Sequence, residues 1–187
     1  MDARREEHAT SRDSRAPWAL ALLVVAGLAW FRIFSTWFAQ DDFRWLLRAA
    51  SGPAPAFTTP RVLSMSLYFR AVHALAGTDP VVFHAIQLGL HLLTGLLLYL
   101  VVARRARPGP AAATAALYLT SPALFDALHW ISAIADLMCG AFLALAVWLV
   151  LGARGAGRAW LAVMAYALAL ASKEIAVGAA PVLAVLH

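Results

Sequence analysis

Long apolar runs, separated by short turns rich in arginine, proline or glycine, dominate this chain of 187 residues. A helix of about 20 apolar residues can cross the hydrocarbon core of a membrane, which is about 30 Å thick. Hydrophobic residues make up 63% of the chain and charged residues 13%, so too little polar surface remains to cover a water-soluble core. The runs therefore predict an all-α fold, namely a polytopic membrane helix bundle.

The composition excludes several other classes of protein. The apolar share excludes intrinsic disorder and a coiled coil, and the single cysteine, Cys139, excludes an internal disulfide. A net charge of +5 is compatible with nucleic-acid binding, but the 15 basic residues are spread through apolar sequence. This distribution favours membrane lipids as the surroundings and no nucleic-acid partner. The sequence has no Walker loop, zincin motif or C-x-x-C pair, which leaves nucleotide-driven pumping without support.

The apolar runs predict five full spans and one partial span, after a disordered cytoplasmic tail at residues 1–16. The first run lacks the small-x-small cleavage site of a signal peptide, which favours an uncleaved span over a cleaved leader. The sixth run starts near Ile175, close to the end of the sequence, so we expect residues 17–187 to be the truncated N-terminal part of a larger transmembrane domain. The five full runs are 17–38, 81–103, 111–125, 131–151 and 159–171.

The outer connection at 39–80 differs from the rest, because charged residues and a Pro/Gly stretch at 51–55 interrupt it. Proline and glycine break regular helix, so two short helices are expected around the stretch, at about 42–50 and 61–76. The second is amphipathic and is expected to lie in the membrane interface. The Pro-Gly-Pro sequence at 108–110 predicts a tight turn between two spans.

Charges sort by side once the spans are drawn. The N-terminal tail and the turns at 104–110 and 152–158 carry nine arginines, which marks them as cytoplasmic. The 39–80 loop is then periplasmic or extracellular, and the protein is expected in the inner (plasma) membrane as a multi-pass protein. All six acidic residues beyond the tail fall on or near this outer side: Asp41, Asp42, Asp79, Asp126, Asp136 and Glu174.

The adjacent acids Asp41 and Asp42 follow the first span directly. One hypothesis makes them a catalytic base that accepts a proton from an attacking hydroxyl, with a metal as an optional neighbour. The alternative is a solvated cap at the start of a helix. Farther along, Asp126 and His129 lie one helical turn apart. They could form a structural pair or bind a metal ion together, and the sequence leaves both alternatives open.

Basic residues on the acidic side run against the positive-inside trend. Arginine presents a planar donor fork that suits phosphate, and lysine presents a point charge, so these residues are candidates to bind a lipid-linked phosphate. The alternative is headgroup contact or ion pairing with the nearby carboxylates, including a local pair between Lys173 and Glu174. The five cations are Arg44, Arg48, Arg61, Arg70 and Lys173.

Four polar residues share one face of the second span: His84, Gln87, His91 and Thr94. The two histidines are two turns apart, roughly 10.5 Å in rise, which is long for sharing one metal ion at about 2 Å. Hydrogen bonding between helices is therefore the preferred interpretation.

The order of these features resembles the N-terminal part of GT-C superfamily polytopic glycosyltransferases, in particular the protein O-mannosyltransferase-like and TPR-associated membrane transferase branch. The resemblance covers about residues 30–187. The matching strings are Gln40-Asp41-Asp42-Phe43, Arg61-Val62-Leu63 with Gly77 to His84, Phe83 to Leu93, Ser121-Pro122-Ala123, His129-Trp130-Ile131-Ser132 with Asp136-Leu137, and Ser172-Lys173-Glu174 with Pro181. The chain departs from the pattern at Val62, Gln87 and Ile134, where the family often has proline, asparagine and a basic residue.

The resemblance implies a glycosyltransferase (a hexosyltransferase) at the outer membrane face. Its donor would be a polyprenyl-phosphate-linked sugar and its acceptor a hydroxyl on a protein, lipid or glycan, with inversion at the anomeric carbon. Asp41 or Asp42 would be the base, and a divalent metal is optional. Donor-phosphate binding would fall to Arg61 and Lys173, with Arg44 and Arg70 as further candidates, and the orienting residues would be Asp136, Glu174, Asp126 and His129.

A non-catalytic polytopic module, such as a transporter half or an assembly subunit, is the alternative from another class. In that case the charged residues brace helices or line a path. The truncated chain is expected to be inactive on its own if the enzyme hypothesis holds.

Overall fold

The computed structural model describes residues 15–52, 61–152 and 155–186, and these are helical with no β-strand. Residues 15 and 16, assigned to the disordered tail from sequence, begin the first helix. The rest of that tail and the prolines at 53 and 55 lie outside the described residues.

Nine α-helices are found in these ranges, several of them joined by short 3₁₀ or π turns. The helices are α1 (Arg15–Trp30), α2 (Asp42–Ser51), α3 (Tyr68–Ala76), α4 (Pro80–Val102), α5 (Pro108–Leu119), α6 (Phe125–His129), α7 (Ile134–Val150), α8 (Ala156–Ser172) and α9 (Ala180–Leu186). A 3₁₀ turn, Phe31–Ser35, continues α1, and a π-helical turn, Val62–Leu67, precedes α3. Further 3₁₀ turns are Pro122–Leu124, Ile131–Ala133 and Glu174–Ala179.

Three of these helical segments are long and apolar enough to cross a membrane, namely Arg15–Ser35, Pro80–Val102 and Ile131–Val150. The prediction of five full spans is not confirmed. The expected third span is a pair of segments, Pro108–Leu119 and Pro122–His129, that meet at 44°; counting it as one span gives four. The break comes at Pro122, because proline disfavours helix in the residue before it.

The Pro-Gly-Pro sequence is a helix start and not the tight turn predicted from sequence. Pro108 occupies the first position of α5, and Arg107 precedes it in extended conformation. Proline suits this position because its fixed φ matches the helix and its missing N–H would have no partner there anyway.

The bundle core contains two kinds of packing. Near the start of α4, aromatic rings gather around Phe83, whose ring centroid lies 5.4 Å from that of Phe38 and 5.7 Å from that of Phe69. Between α7 and α8 the contact is made by small residues that include Ala146, Ala162 and Ala165, all buried. Small side chains let two helices approach closely, which is the usual way helices associate in lipid.

Large apolar side chains cover the outside of the bundle. On α1 these include Leu20 and Leu28, which are 64% and 68% exposed, and on α8 Trp160, which is 69% exposed. An apolar surface of this kind is typical of helices that face lipid. The helix lengths and this surface together support a membrane protein.

The described carboxylates gather at one end of the bundle, and a group of arginines gathers at the other. Arg15 at the start of α1 lies beside the C-terminal part of α4, since its carbonyl accepts from the Tyr99 hydroxyl at 3.2 Å. The turn after α4 and the start of α8 add further arginines to this arginine end. The six described carboxylates lie at the opposite, acidic end: Asp41, Asp42, Asp79, Asp126, Asp136 and Glu174.

Candidate functional site

The two acids of the Asp41-Asp42 pair differ in burial. Asp42 is fully buried at the start of α2. Its Oδ1 accepts the Ser132 N–H at 2.7 Å and the Ser132 hydroxyl, and its Oδ2 accepts the Ala39 N–H at 2.9 Å. Both oxygens are therefore occupied, and Asp42 fastens the start of α2 to the turn before α7.

Asp41 is exposed. No side-chain cap bond is formed by Asp41 to α2, so the solvated helix cap considered from sequence is not made by this residue. The residue before it, Gln40, has φ of 45°, a left-handed conformation uncommon for a non-glycine residue. Asp41 thus stands on a sharp turn with its carboxylate open to the surroundings.

Two ion pairs lie at the same end of the bundle. Arg61 and Glu174 form a two-point pair, in which Arg61 Nε donates to Glu174 Oε2 at 2.8 Å and Nη2 donates to Oε1. Lys173 Nζ donates to Asp136 Oδ1. Lys173 therefore pairs with Asp136 on α7 and not with its neighbour Glu174, which corrects the local pair considered from sequence.

Short connections join the acidic pair to the ion pairs. Asp42 binds Ser132, and Asp136 follows one helical turn later. Asp136 binds Lys173, which is adjacent to Glu174, the partner of Arg61. The Ser64 hydroxyl donates to the Ser172 carbonyl at 2.6 Å and fixes the π-helical turn to the end of α8. We call this set, Asp41, Asp42, Ser132, Asp136, Lys173, Glu174 and Arg61, the acidic-end cluster.

Backbone strain also concentrates in the acidic-end cluster. Gln40 and Arg61, with φ of 45° and 59°, are the non-glycine residues with positive φ among those described. Conformations of this kind cost of order 1–3 kcal/mol and are often found at functional sites. One precedes the exposed carboxylate and the other is a member of an ion pair.

The ion pair between Arg61 and Glu174 shifts the pKa of both side chains. The hydrogen bond from Arg61 lowers the pKa of Glu174 to about 2, and the same bond raises the pKa of Arg61. Half or more of the Glu174 side chain is solvent-exposed, so water screens the pair and limits its contribution to stability.

The pH dependence of stability provides a test of this pair. Because its folded pKa lies below the ordinary value of 4.5, Glu174 stabilises the fold fully above about pH 4.5, and this contribution is lost as the pH falls through about 2. We expect the difference in melting temperature between the parent and Glu174→Gln to be small and constant from pH 7 to 5 and to vanish toward pH 2. Asp126→Asn is the matched control; a difference that grows toward low pH would contradict the pair.

The other predicted phosphate ligands lie elsewhere on this face. Arg44 is exposed and its guanidinium sits 5.8 Å from the centre of the Trp45 ring. Arg70 Nη2 donates to the Gly52 carbonyl at 2.7 Å, so it caps the end of α2, consistent with the favourable effect of a cation at a helix C-terminus.

The predicted pairing of Asp126 with His129 is not formed. His129 Nδ1 lies 3.0 Å from the Phe125 carbonyl, and its ring stacks on Phe125 at 3.9 Å between centroids. Asp126 points to the exposed side. In residues 15–52, 61–152 and 155–186 no group of three or more His, Cys, Asp or Glu side chains could hold a metal ion, and the optional divalent metal remains a prediction.

The polar face of α4 joins helices by hydrogen bonds, as predicted. His84 Nε2 lies 2.8 Å from the Thr36 hydroxyl, and His91 Nε2 lies 3.0 Å from the Leu119 carbonyl. Gln87 is fully buried and donates to two backbone carbonyls across the bundle. Thr94 differs, because its hydroxyl donates to Leu90 in its own helix.

Replacing Gln87 tests the strength of this face. Its amide donates to the carbonyls of Ala127 and Trp130, at 3.0 and 2.9 Å. Gln87→Leu leaves both carbonyls without this donor, and we expect a loss of about 1–2 kcal/mol in the free energy of unfolding, since such bonds in membranes are worth about 0.6–2 kcal/mol. Thr114→Val, which removes a bond to Pro110 within one helix, should cost less; equal losses would argue against the interhelical role.

Sequence reasoning assigned no role to three serines in or next to the acidic-end cluster: Ser64, Ser132 and Ser172. Each is buried; the Ser64 and Ser132 hydroxyls donate across elements, whereas Ser172 accepts the Ser64 hydroxyl through its backbone carbonyl. Serine in an apolar segment is a signal that a hydrogen-bond partner must be found, but the sequence does not say which partner. Ile134 is fully buried in the aromatic core, and Lys173 supplies the cation to Asp136.

An open apolar groove of about 420 Å³ lies along α2. Its walls include Trp37, Phe38, Leu47 and His73. Phe43, which directly follows Asp42 in the chain, also lines the groove.

No protein-family model, curated protein or solved structure matches this chain. The resemblance to GT-C glycosyltransferases therefore stands on the sequence strings, and the activity it implies is a proposal.

Proposed function

We propose that this chain carries the outer-face site of a membrane glycosyltransferase that transfers a sugar from a polyprenyl-phosphate donor to a hydroxyl acceptor. The observation that supports this most is the acidic-end cluster: an exposed carboxylate, Asp41, stands on a buried anchor, Asp42, that is joined through Ser132 to two accessible ion pairs. A base and phosphate-binding cations at one end of an apolar bundle are what the reaction requires.

In the proposed reaction, the acceptor oxygen attacks the anomeric carbon while the bond from that carbon to the phosphate oxygen breaks. The acceptor proton passes to the Asp41 carboxylate, which is exposed and has no capping bond. The electron pair leaves with the polyprenyl phosphate. In-line attack inverts the configuration at the anomeric carbon.

Arg61 and Lys173 are the proposed partners of the leaving phosphate. Their side chains are 38% and 21% exposed, so a ligand can reach both. Glu174 and Asp136 already hold these cations in place, and preorganised cations stabilise the charge that develops on a leaving group. No step of the proposal passes through a metal ion.

The groove along α2 is the proposed support for the lipid part of the donor. Its lining is largely apolar and includes Phe43, the residue after Asp42, so a prenyl chain lying there would keep its phosphate near the membrane surface. Burial of each CH₂ of such a chain is worth about 0.8 kcal/mol.

A specific observation favours the non-catalytic alternative as well. Arg61 and Lys173 are each already paired with a carboxylate, as expected if the cluster only braces α7, α8 and the π-helical turn. The two functions differ in what happens at Asp41, since a brace has no use for an exposed carboxylate.

The proposal is tested by assaying the full-length protein in proteoliposomes that contain sugars on polyprenyl phosphate and a hydroxyl acceptor. We expect transfer from the lipid-linked donor and none from the same sugar on a nucleotide. Absence of transfer across a panel of lipid-linked donors would contradict the glycosyltransferase proposal and favour the alternative, in which the cluster only braces the helices.

Membrane orientation is a separate prediction of this proposal, with the acidic end outside and the arginine end in the cytoplasm. Ser51 is exposed at the end of α2, Arg105 is exposed after α4, and the native Cys139 is buried. We expect Ser51→Cys to react with an impermeant thiol reagent on intact cells and Arg105→Cys to react only after permeabilisation. The reverse pattern would overturn the orientation.

A further inference from the structure

The arginine end of the bundle has a second feature that the proposed reaction does not use. Two arginines from different elements meet on one indole ring: Arg104, after α4, lies 5.3 Å from the centre of Trp148, and Arg158, in α8, lies 4.6 Å from it. Three elements therefore converge here, with Trp148 near the end of α7. We call Arg104, Trp148, Gly152 and Arg158 the arginine clamp.

Gly152 shows how closely the two guanidinium groups approach. A Cβ at this position would lie 2.7 Å from Arg104 Nη1 and 2.7 Å from Arg158 Nη2. Both side-chain ends therefore flank one small space, and only the absence of a side chain at Gly152 leaves that space open.

Like charges at this distance repel, so a compensating anion is expected. Among residues 15–52, 61–152 and 155–186, neither ion pair involves these arginines, and every carboxylate lies at the acidic end. The C-terminal carbonyls of α7 offer only partial negative charge. Burial, and to a smaller extent the neighbouring charge of Arg158, lowers the pKa of Arg104.

We propose that the arginine clamp binds the phosphate of an anionic phospholipid headgroup. Two planar guanidinium forks can share the oxygens of one phosphate, and the indole holds both forks in place. The position suits a lipid, because the clamp lies just beyond the end of the long apolar helix α4, at the depth where headgroups sit. Basic pockets between helix ends are a common form of headgroup site.

The test measures binding of phosphatidylglycerol and of phosphatidylcholine to the detergent-purified full-length protein by native mass spectrometry. We expect Arg104→Gln and Arg158→Gln each to weaken phosphatidylglycerol binding by about tenfold, the loss of one charge-assisted fork. Arg105→Gln is the control, since this arginine is exposed at the same end and carries the same charge. Arg158→Lys keeps the charge and loses the planar fork, so its phosphatidylglycerol binding should lie between that of Arg158→Gln and that of Arg105→Gln. This conservative variant also guards against misfolding.

A charge-neutral variant provides an independent arm. In Gly152→Ala the new methyl group meets the guanidinium ends, which must move apart, so phosphatidylglycerol binding should fall without any change in net charge. Gly157→Ala is its control, because nothing lies within 4 Å of a Cβ there.

Four results would overturn the proposal. Equal weakening by Arg105→Gln would indicate general surface attraction, and unchanged binding in both clamp variants would remove the site. Equal binding of phosphatidylcholine would show that the headgroup charge is not read. Displacement of the lipid by an equal concentration of inorganic phosphate would assign the site to free phosphate instead.

Discussion

Asp42→Ala is expected to lower the free energy of unfolding by about 3 kcal/mol, because it leaves a buried N–H group, a buried hydroxyl and a partly buried N–H group without their acceptor. Those donors belong to Ala39 and Ser132. The loss should appear in SDS titration of the purified protein in mixed micelles. Asp42→Asn keeps one acceptor oxygen but turns an NH₂ group toward one of the donors, so about 2 kcal/mol is expected.

The neighbouring carboxylate is the matched control for this prediction. Asp41→Ala removes the same group one residue earlier, at an exposed position with no capping bond, and should change stability by no more than about 0.5 kcal/mol. Similar losses at the two positions would mean that Asp42 does not anchor α2. A destabilised Asp42 variant should also loosen the turn before α7, which is where its carboxylate binds.

The contrast between Asp41 and Asp42 shows where sequence reasoning ends. From sequence, both acids are expected between the first span and the start of a short helix, and α2 does begin at this point. Burial depends on which element packs over the turn, and the turn at 131–133 is nearly 90 residues away along the chain. No local pattern specifies that contact, so the two acids could not be told apart in advance.

The ion pairs were only partly predictable for the same reason. The resemblance implied that Asp136 and Glu174 would orient Arg61 and Lys173, but the choice of partner depends on the extended backbone of Lys173, with φ of −156° and ψ of 136°. This conformation interrupts helix between α8 and the following 3₁₀ turn, and Lys173 pairs across to α7 while Glu174 pairs with Arg61.

Helix positions followed well from apolar runs, whereas span counts did not. The run at 131–151 corresponds closely to Ile131–Val150, since a continuous apolar stretch of this length is stable as helix in lipid. The run at 111–125 was expected to be one span, yet Pro122 and the turn before it break it into two segments at 44°. Hydropathy is averaged over a window that includes the break, so Pro122 was the feature of the sequence that indicated a bend.

Asp41→Asn is expected to reduce sugar transfer by the full-length protein by about 10²–10⁴-fold, the usual contribution of a positioned general base. The amide cannot accept the acceptor proton, although its size and hydrogen-bonding shape are nearly unchanged. Because Asp41 is exposed and makes no cap bond, the variant should keep the melting temperature of the parent, and donor binding should be little changed. The measurement is the initial rate of transfer from the polyprenyl-phosphate donor, with stability recorded on the same preparations.

Asp79→Asn is the control for charge at this end of the bundle. Asp79 caps α4 by accepting the Val81 N–H at 3.0 Å, and asparagine caps equally well, so the variant removes one negative charge while the helix start is kept. Its transfer rate should stay within about twofold of the parent if Asp41 acts as a base and not through the general field. Full activity in Asp41→Asn would exclude Asp41 as the base; because both Asp42 oxygens are occupied, the brace would then be the better description of the cluster.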